Sequence, residues 1–325
     1  MNLRIGLYAL AEEYRLDTGG ARQLHRLAGL DEEPATLPFW LPRALGILAA
    51  ALGGLGLVMW IAANWDLLGR FGRFALLQGS VLALCAGALL RPGARIPLGL
   101  LAFVGIGGLF AYFGQTYQTG ADPWQLFALW ALLALPLCIA LRSDVLWAPW
   151  AMVAMTAISL WTYAHTGHRW RVGADDLGVH ALAWVATIAL VAALGRELHR
   201  FTGAGVWALR TTVTLAVLGI TLSAIGGLLH STLAPHYFAG LVVLAAAAAL
   251  LAQRRAFDIF ALSAAALGLN VLLVAGLVRL LLDGHSGGVI GALLVIGLVA
   301  AGLLAATVSA VMRLARAYGL QEDAA

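Results

Sequence analysis

The sequence predicts an all-α, polytopic membrane protein with about ten transmembrane helices behind a short cytoplasmic helical hairpin. Composition is the first reason: 62% of the residues are hydrophobic and 11% are charged, whereas soluble domains carry about 25% charged residues. The second reason is the length of the apolar runs, since a helix needs about 20 apolar residues to cross the hydrocarbon core. So few polar side chains could not cover so many apolar helices in water, which excludes a soluble helical protein.

Residues 1–43 are predicted to form a cytoplasmic helical hairpin and a linker. Asp17 or Thr18 is the expected N-cap of the second helix, because a short polar side chain there accepts a bond from a free backbone N–H. The segment 31–34, which reads Asp-Glu-Glu-Pro, ends the hairpin. An apolar stripe along the two helices packs on the membrane surface or the protein's own body, or else on a protein partner. Its members include Leu3, Leu7, Leu10, Leu24 and Leu27.

Residues 44–312 are predicted to form the transmembrane domain, and residues 313–325 a cytoplasmic tail. The first apolar run begins at residue 44, behind a charged segment, so it is not expected to be a cleavable signal peptide. The expected spans are about 44–63, 74–90, 96–113, 124–141, 145–163, 178–195, 211–230, 236–252, 257–280 and 288–312.

The basic residues predict the orientation of these spans. All of them are arginine, and most fall in the two tails or in alternate connections on the same face. The positive-inside rule then places both termini in the cytoplasm. The same arginines indicate contact with anionic lipid headgroups and not with nucleic acid. On the predicted inner face lie Arg4, Arg15, Arg22, Arg26, Arg43, Arg91, Arg95, Arg142, Arg196, Arg200, Arg210, Arg254, Arg255, Arg313 and Arg316.

Two polar motifs adjoin the spans on the predicted outer face. The first follows the first span, and the second is the loop over residues 114–125, which carries no basic residue. They are expected to meet in one hydrogen-bonding cluster that binds a ligand or gates a path. Alternatively, the tryptophans anchor the helices at the headgroup level and the aspartates cap helix ends. The cluster members are Asn64, Trp65, Asp66, Gln115, Tyr117, Gln118, Asp122 and Trp124.

These motifs also carry a family resemblance. A helical hairpin, a glycine-rich first span that ends in residues 61–66 (Ile-Ala-Ala-Asn-Trp-Asp), and the loop 114–124 together resemble the domain-of-unknown-function 2157 family of bacterial membrane proteins. The resemblance covers roughly residues 5–150. It implies a bacterial, multi-spanning protein without an agreed activity, and the family supplies no catalytic residues to carry over. The expected location is the bacterial inner membrane.

Histidines and cysteines are the remaining reactive side chains. His165 and His168, near Asp175 and Asp176, are candidate metal ligands, but their spacing fits no standard signature. Four other histidines, namely His180, His230, His236 and His285, also fall at or near predicted outer connections, where solvation is the expectation. The two cysteines, Cys85 and Cys138, lie inside apolar spans and are expected to be small core residues. No nucleophile motif, phosphate loop or cofactor fingerprint occurs, so no cofactor is expected and an enzyme is disfavoured.

Polar residues in the middle of spans are few. Gln78 and Asn270 are the candidates, and no acidic side chain lies near the middle of any predicted span. Because intramembrane acids usually mark proton or cation paths, their absence argues against a proton-driven pump with a buried carboxylate. A carrier of small or amphiphilic substrates remains compatible with this pattern.

The best functional prediction is therefore a transporter-like or flippase-like protein for a small or amphiphilic substrate, with a polar site at the outer face. Equal spacing from Pro123 to Arg142 and from Pro235 to Arg254 suggests a weak parallel repeat of spans three to six onto seven to ten, and many transporters contain repeats. Alternatively, any two similar helical hairpins give this spacing. The alternative is a non-transport subunit or sensor that binds a protein partner through the hairpin. A metal-dependent enzyme at the outer face, acting through the loop histidines, is the third hypothesis.

Overall fold

A computed structural model describes residues 3–28, 37–63, 69–117, 120, 122–168, 172–230, 234–282 and 289–322. Within these ranges every regular element is an α-helix or a short 3-10 turn, and no strand occurs. The helices are α1 (Leu3–Glu13), α2 (Thr18–Leu27), α3 (Leu37–Ala63), α4 (Arg70–Leu90), α5 (Arg95–Tyr117), α6 (Pro123–Leu141), α7 (Asp144–His165), α8 (Leu177–Ala193), α9 (His199–Thr202), α10 (Val206–Leu228), α11 (Pro235–Leu251), α12 (Ile259–Leu282) and α13 (Val289–Glu322).

The predicted class, an all-α polytopic membrane protein, is confirmed. By length and composition, nine of the helices in the described ranges are able to cross a membrane. The apolar helix α11 has 17 residues, which is close to the lower limit of about 17 for a spanning helix. It corresponds to the eighth of the ten expected spans.

Several helices extend beyond their predicted spans, and two of these extensions have identifiable reasons. Helix α10 begins at Val206 and not at 211, because the Asp144 carboxylate caps it. That carboxylate accepts the backbone N–H groups of Gly205 at 2.9 Å, Trp207 at 2.7 Å and Ala208 at 2.9 Å. Helix α13 continues past 312 to Glu322, since the arginine, leucine and alanine residues that follow are good helix formers.

The chain divides into two compact units, Met1–Leu52 and Gly53–Ala325. In the first, α1 packs against α2. The predicted cap of α2 is confirmed, because Asp17 Oδ1 accepts the backbone N–H of Gly20 at 2.7 Å. From the predicted apolar stripe, Leu10 is 44% exposed and Leu27 is 80% exposed. Packing within the hairpin therefore leaves part of its apolar stripe uncovered.

In the second unit, α10 is central and packs against α7, α8, α11 and α12. A core between α5, α6 and α7 contains Trp147 and Trp150, which are almost fully buried. Their indole N–H groups donate to the carbonyl oxygens of Thr202 at 2.8 Å and Ala131 at 2.7 Å. Cys138 is buried in the same core, as expected, whereas Cys85 is half-buried. Neither thiol forms a disulfide.

Candidate functional site

The end of α7 is shaped by two residues in the left-handed backbone region. Gly167 has a φ of 69° and His168 a φ of 57°. Glycine adopts this conformation without steric cost, and histidine is among the side chains that tolerate it best. The resulting turn is closed by a bond from the His168 backbone N–H to the Tyr163 carbonyl at 3.0 Å. It turns the His168 ring onto the Tyr163 ring, with centroids 5.5 Å apart and planes at 88°.

His168 also contacts a residue of the predicted outer-face cluster. Its Nε2 lies 3.0 Å from Asp122 Oδ1, just before α6 begins. The two side chains are 59% and 36% exposed, and an exposed pair of this kind contributes about 0–1 kcal/mol to stability. The contact therefore positions the two helix ends more than it stabilises the fold. It joins Asp122 to a histidine that the sequence assigned to a different hypothesis.

Trp124 and His165 form a neighbouring aromatic group. Their ring centroids lie 6.2 Å apart, and His165 also packs on Trp161 with centroids at 4.5 Å. His165 Nδ1 bonds the Trp161 carbonyl at 2.9 Å. The buried indole N–H of Trp124 has no hydrogen-bond acceptor among the described residues. Both candidate metal histidines thus have other contacts, and no group of three or more metal-binding side chains occurs in the part of the chain that the structure describes.

The other predicted cluster members have separate surroundings. Tyr117 stacks on Phe74 and Phe113, with centroids 5.8 Å and 4.9 Å away, and Arg70 lies 5.7 Å from its ring. Gln115 is exposed. Asn64, Trp65, Asp66 and Gln118 lie outside the described residues, so a contact between the two motifs stays a prediction.

The two mid-span polar residues differ from each other. Gln78 is exposed on α4. Asn270 on α12 forms a bond across helices, donating from Nδ2 to the Thr307 hydroxyl of α13 at 2.9 Å. Its amide is therefore engaged in joining two helices.

A cleft of about 520 Å³ lies between α7, α8 and α10. Sequence reasoning missed it, although α7 carried a signal: Thr156, Ser159, Thr162 and Thr166 recur every three or four residues and so share one helix face. The cleft is lined by Met155, Thr156, Ile158, Ser159, Thr162, Tyr163, Thr166, Val172, His180, Ala183, Trp184, Thr187, Leu215, Ala216, Leu218, Gly219, Ile220, Leu222 and Ser223.

Two histidines that the sequence placed near outer connections are buried. His180 lines the cleft, and its Nδ1 lies 3.0 Å from the Asp176 carbonyl oxygen. His236, at the start of α11, is 0% exposed, and its ring meets that of His180 at 4.8 Å and 88°. Neither ring nitrogen of His236 has a hydrogen bond of good geometry within the described ranges. The expectation of solvated loop histidines is therefore wrong for this pair, because both lie in the first turn of a packed helix.

Comparison with known families identifies the first part of the chain. Residues 8–147 match the family model described as "Predicted membrane protein (DUF2157)". The match covers less than half of the chain, and the matched residues are called the DUF2157 segment. The resemblance inferred from the hairpin and the two polar motifs is thereby confirmed. No curated protein and no solved structure matched the chain.

The DUF2157 segment contains the polar residues at the start of α6 but none of the residues that line the cleft. Asp122 and Trp124 fall inside it, whereas every residue that lines the cleft follows it in the chain. The contact between Asp122 and His168 therefore joins the DUF2157 segment to the helices that form the cleft.

Proposed function

We propose that this chain binds a small amphiphilic molecule in the α7–α8–α10 cleft and carries it across the membrane. The observation that supports the proposal is the cleft itself, about 520 Å³ between helices of membrane-spanning length. Ligand sites in proteins commonly have volumes of about 300–1,000 Å³ and combine an apolar lining with a few polar groups. This cleft has such a lining, with leucines on α10 and hydroxyl groups on α7.

We further propose that the predicted outer-face residues act at the entrance of this cleft. Tyr163 lines the cleft and packs against His168, which in turn contacts Asp122. A movement of the Asp122–His168 pair would therefore displace Tyr163 at the cleft through the contact between the His168 and Tyr163 rings.

In this proposal both termini lie in the cytoplasm of a bacterial inner membrane, and reporter fusions at the C-terminus of the full chain would test the position of that terminus.

The binding step is tested by filling the cleft. Gly219 lines it, and a Cβ at this position has no neighbouring atom within 4 Å, so Gly219→Phe adds a bulky side chain to the cleft wall with room for its first carbon. Gly302 in α13 is a matched control, since its Cβ would also meet nothing within 4 Å and it does not line the cleft. Native mass spectrometry of the full-length protein would compare small molecules retained by the wild type and the two variants.

The expected result is an amphiphile retained by the wild type and by Gly302→Phe and lost from Gly219→Phe. Identical sets of bound molecules in all three proteins would contradict the proposal.

Transport is tested in proteoliposomes with a fluorescent monoacylglycerol and a membrane-impermeant quencher. Flipping should be faster than in empty liposomes for the wild type and Gly302→Phe, and should fall to the empty-liposome rate for Gly219→Phe.

The exposed hairpin supports a second candidate, a subunit or sensor that holds a protein partner. Leu27 and Tyr14 are 80% and 69% exposed in the first unit, and uncovered apolar side chains of this kind are typical of docking surfaces when they are contiguous. We expect a partner that co-purifies with the full chain to be lost when Leu10 and Leu27 are replaced together by serine. Retention of that partner would exclude the hairpin as its binding surface.

A further inference from the structure

The threonine hydroxyl groups of the cleft are committed as donors. A serine or threonine hydroxyl has one hydrogen to donate and two lone pairs that accept. Thr156 donates to the Met152 carbonyl at 2.8 Å, and Thr162 donates to the Ile158 carbonyl at 3.0 Å. Each bond lies within its own helix and uses the single hydrogen. These side chains therefore offer the cleft acceptor lone pairs and no donor.

The other two helices of the cleft follow the same pattern. On α8, the Thr187 hydroxyl donates to the Trp184 carbonyl at 2.8 Å. On α10, the Ser223 hydroxyl donates to the Gly219 carbonyl at 2.8 Å and accepts the Trp184 indole N–H at 3.1 Å. The Trp184 indole N–H therefore already has an acceptor within the protein and is not available to donate to a molecule in the cleft.

The Nδ1 proton of His180 is likewise committed. A carbonyl oxygen only accepts, so the 3.0 Å contact with the Asp176 carbonyl requires the proton on His180 Nδ1. In the neutral ring Nε2 is then an acceptor. Two hydroxyl groups fall outside this pattern. Ser159 lies at the exposed edge of the lining, where its hydroxyl is able both to donate and to accept, and the phenol of Tyr163 also carries an O–H donor.

The lining is otherwise uncharged and apolar. Among the described residues no Asp, Glu or Arg lines the cleft. Its apolar part includes Ile158, Leu215, Leu218 and Leu222. A charged group placed there would lose its hydration without gaining an opposite charge, which is costly. A hydrocarbon chain would instead bury apolar surface.

We propose that the occupant is an uncharged amphiphile whose headgroup carries hydrogen-bond donors, such as hydroxyl or amide N–H groups, and whose tail is a hydrocarbon. This inference rests on the proposed function, because it specifies the ligand of the same cleft. Headgroup donors meet the lone pairs of Thr156, Thr162 and Thr187, and the tail lies against the α10 leucines.

A matched pair of ligands tests the donor requirement. Equilibrium binding to the full-length protein in lipid nanodiscs is measured for 1-dodecanoylglycerol and for its di-O-methyl ether, which keeps the oxygens and loses both donors. Specific binding is the part that Gly219→Phe abolishes and Gly302→Phe retains. The glycerol ester should bind roughly tenfold more tightly than the ether, because only the ester donates two hydrogen bonds to the cleft.

Variants test the acceptors in the same way. Thr156→Val combined with Thr162→Val should weaken binding of the glycerol ester about fivefold and leave the ether unchanged. Thr214→Val is the matched control, since Thr214 makes the same bond to its own helix, to the Arg210 carbonyl at 2.8 Å, but does not line the cleft. Equal weakening by the control variant would overturn the assignment.

The outcomes separate this inference from the proposed function. If neither ligand shows binding that depends on Gly219, the proposed function fails. If ester and ether bind equally and both depend on Gly219, the cleft binds amphiphiles but the donor requirement is wrong. Competition by free glycerol as strong as that by the ester would overturn the need for a tail, and tighter binding of dodecylammonium would overturn the uncharged headgroup.

Discussion

The two halves of α7 differ in where their polar side chains find hydrogen-bond partners. The first half ends at Val153, and the second begins at Met155. In the first half, Trp147 and Trp150 reach carbonyl oxygens outside α7. In the second half, Thr156 and Thr162 donate to carbonyls of α7 itself. An indole N–H is too far from its own helix backbone to be satisfied there, so it requires close packing with a neighbour. A threonine hydroxyl needs no neighbour and is therefore able to border a cleft.

The largest expected effect is in the packed half. Trp150→Ala removes a buried ring and the hydrogen bond from its indole N–H to the Ala131 carbonyl. We expect a loss of about 3–5 kcal/mol in the free energy of unfolding, measured in detergent micelles by denaturant titration. Trp207→Ala, at a ring that is 67% exposed, should change it by less than about 0.5 kcal/mol. Similar losses for both variants would show that the first half is not tightly packed.

The next effect concerns the residue at which α7 begins. Asp144→Ala removes the acceptor for three backbone N–H groups at the start of α10. The free energy of unfolding, again measured by denaturant titration in micelles, should fall by about 1–3 kcal/mol, because these N–H groups lose their acceptor. Asp144→Asn keeps an oxygen at this position and should lose less than Asp144→Ala. Equal losses would show that capping is not the cause.

A smaller effect is expected in the half that borders the cleft. Thr162→Val removes a hydroxyl whose hydrogen bond lies within its own helix, so no neighbouring helix loses a partner. The free energy of unfolding should change by less than about 0.5 kcal/mol. A loss above about 1 kcal/mol would mean that this hydroxyl supports packing between helices, and the contrast between the two halves of α7 would fail.

The smallest effect is predicted for the exposed pair at the end of α7. A double-mutant cycle with His168→Ala and Asp122→Ala should give a coupling energy of about 0.2–1 kcal/mol. If the pair acts at the entrance of the cleft, each single variant should nevertheless change the rate of monoacylglycerol flipping in proteoliposomes. An unchanged rate in both variants would remove the pair from the proposed entrance.

Local signals in the sequence were enough for the helices and for part of their capping. The Asp17 cap and the helix starts at Pro123 and Pro235 follow from short-range chemistry, in which a side chain or a proline ring acts on its own backbone. The cap of α10 was missed because Asp144 acts on a helix that begins about 60 residues later in the chain. Sequence proximity carries no information about such a contact.

The candidate site was predicted in part. Asp122, Trp124, His165 and His168 were all singled out, but in two separate hypotheses, and their contacts join the end of α7 to the start of α6. Nothing in the spacing of Asp122 and His168 along the chain connects them. The burial of His180 and His236 was missed because a histidine near a helix end has the same local pattern whether it faces water or a neighbouring helix.

The sequence by itself determined the class of protein, the apolar helices and the family resemblance of residues 8–147. These depend on composition, run length and local motifs, which are properties of the chain read in order. Only the tertiary structure decided the cleft and the contact between Asp122 and His168. Helices that are apolar on all sides have no periodic pattern to select the face that packs, so their rotation is set by shape and close contact between neighbours. The cleft lies where this packing leaves a space between helices. The threonines are able to border it because their hydroxyl groups bond within their own helix.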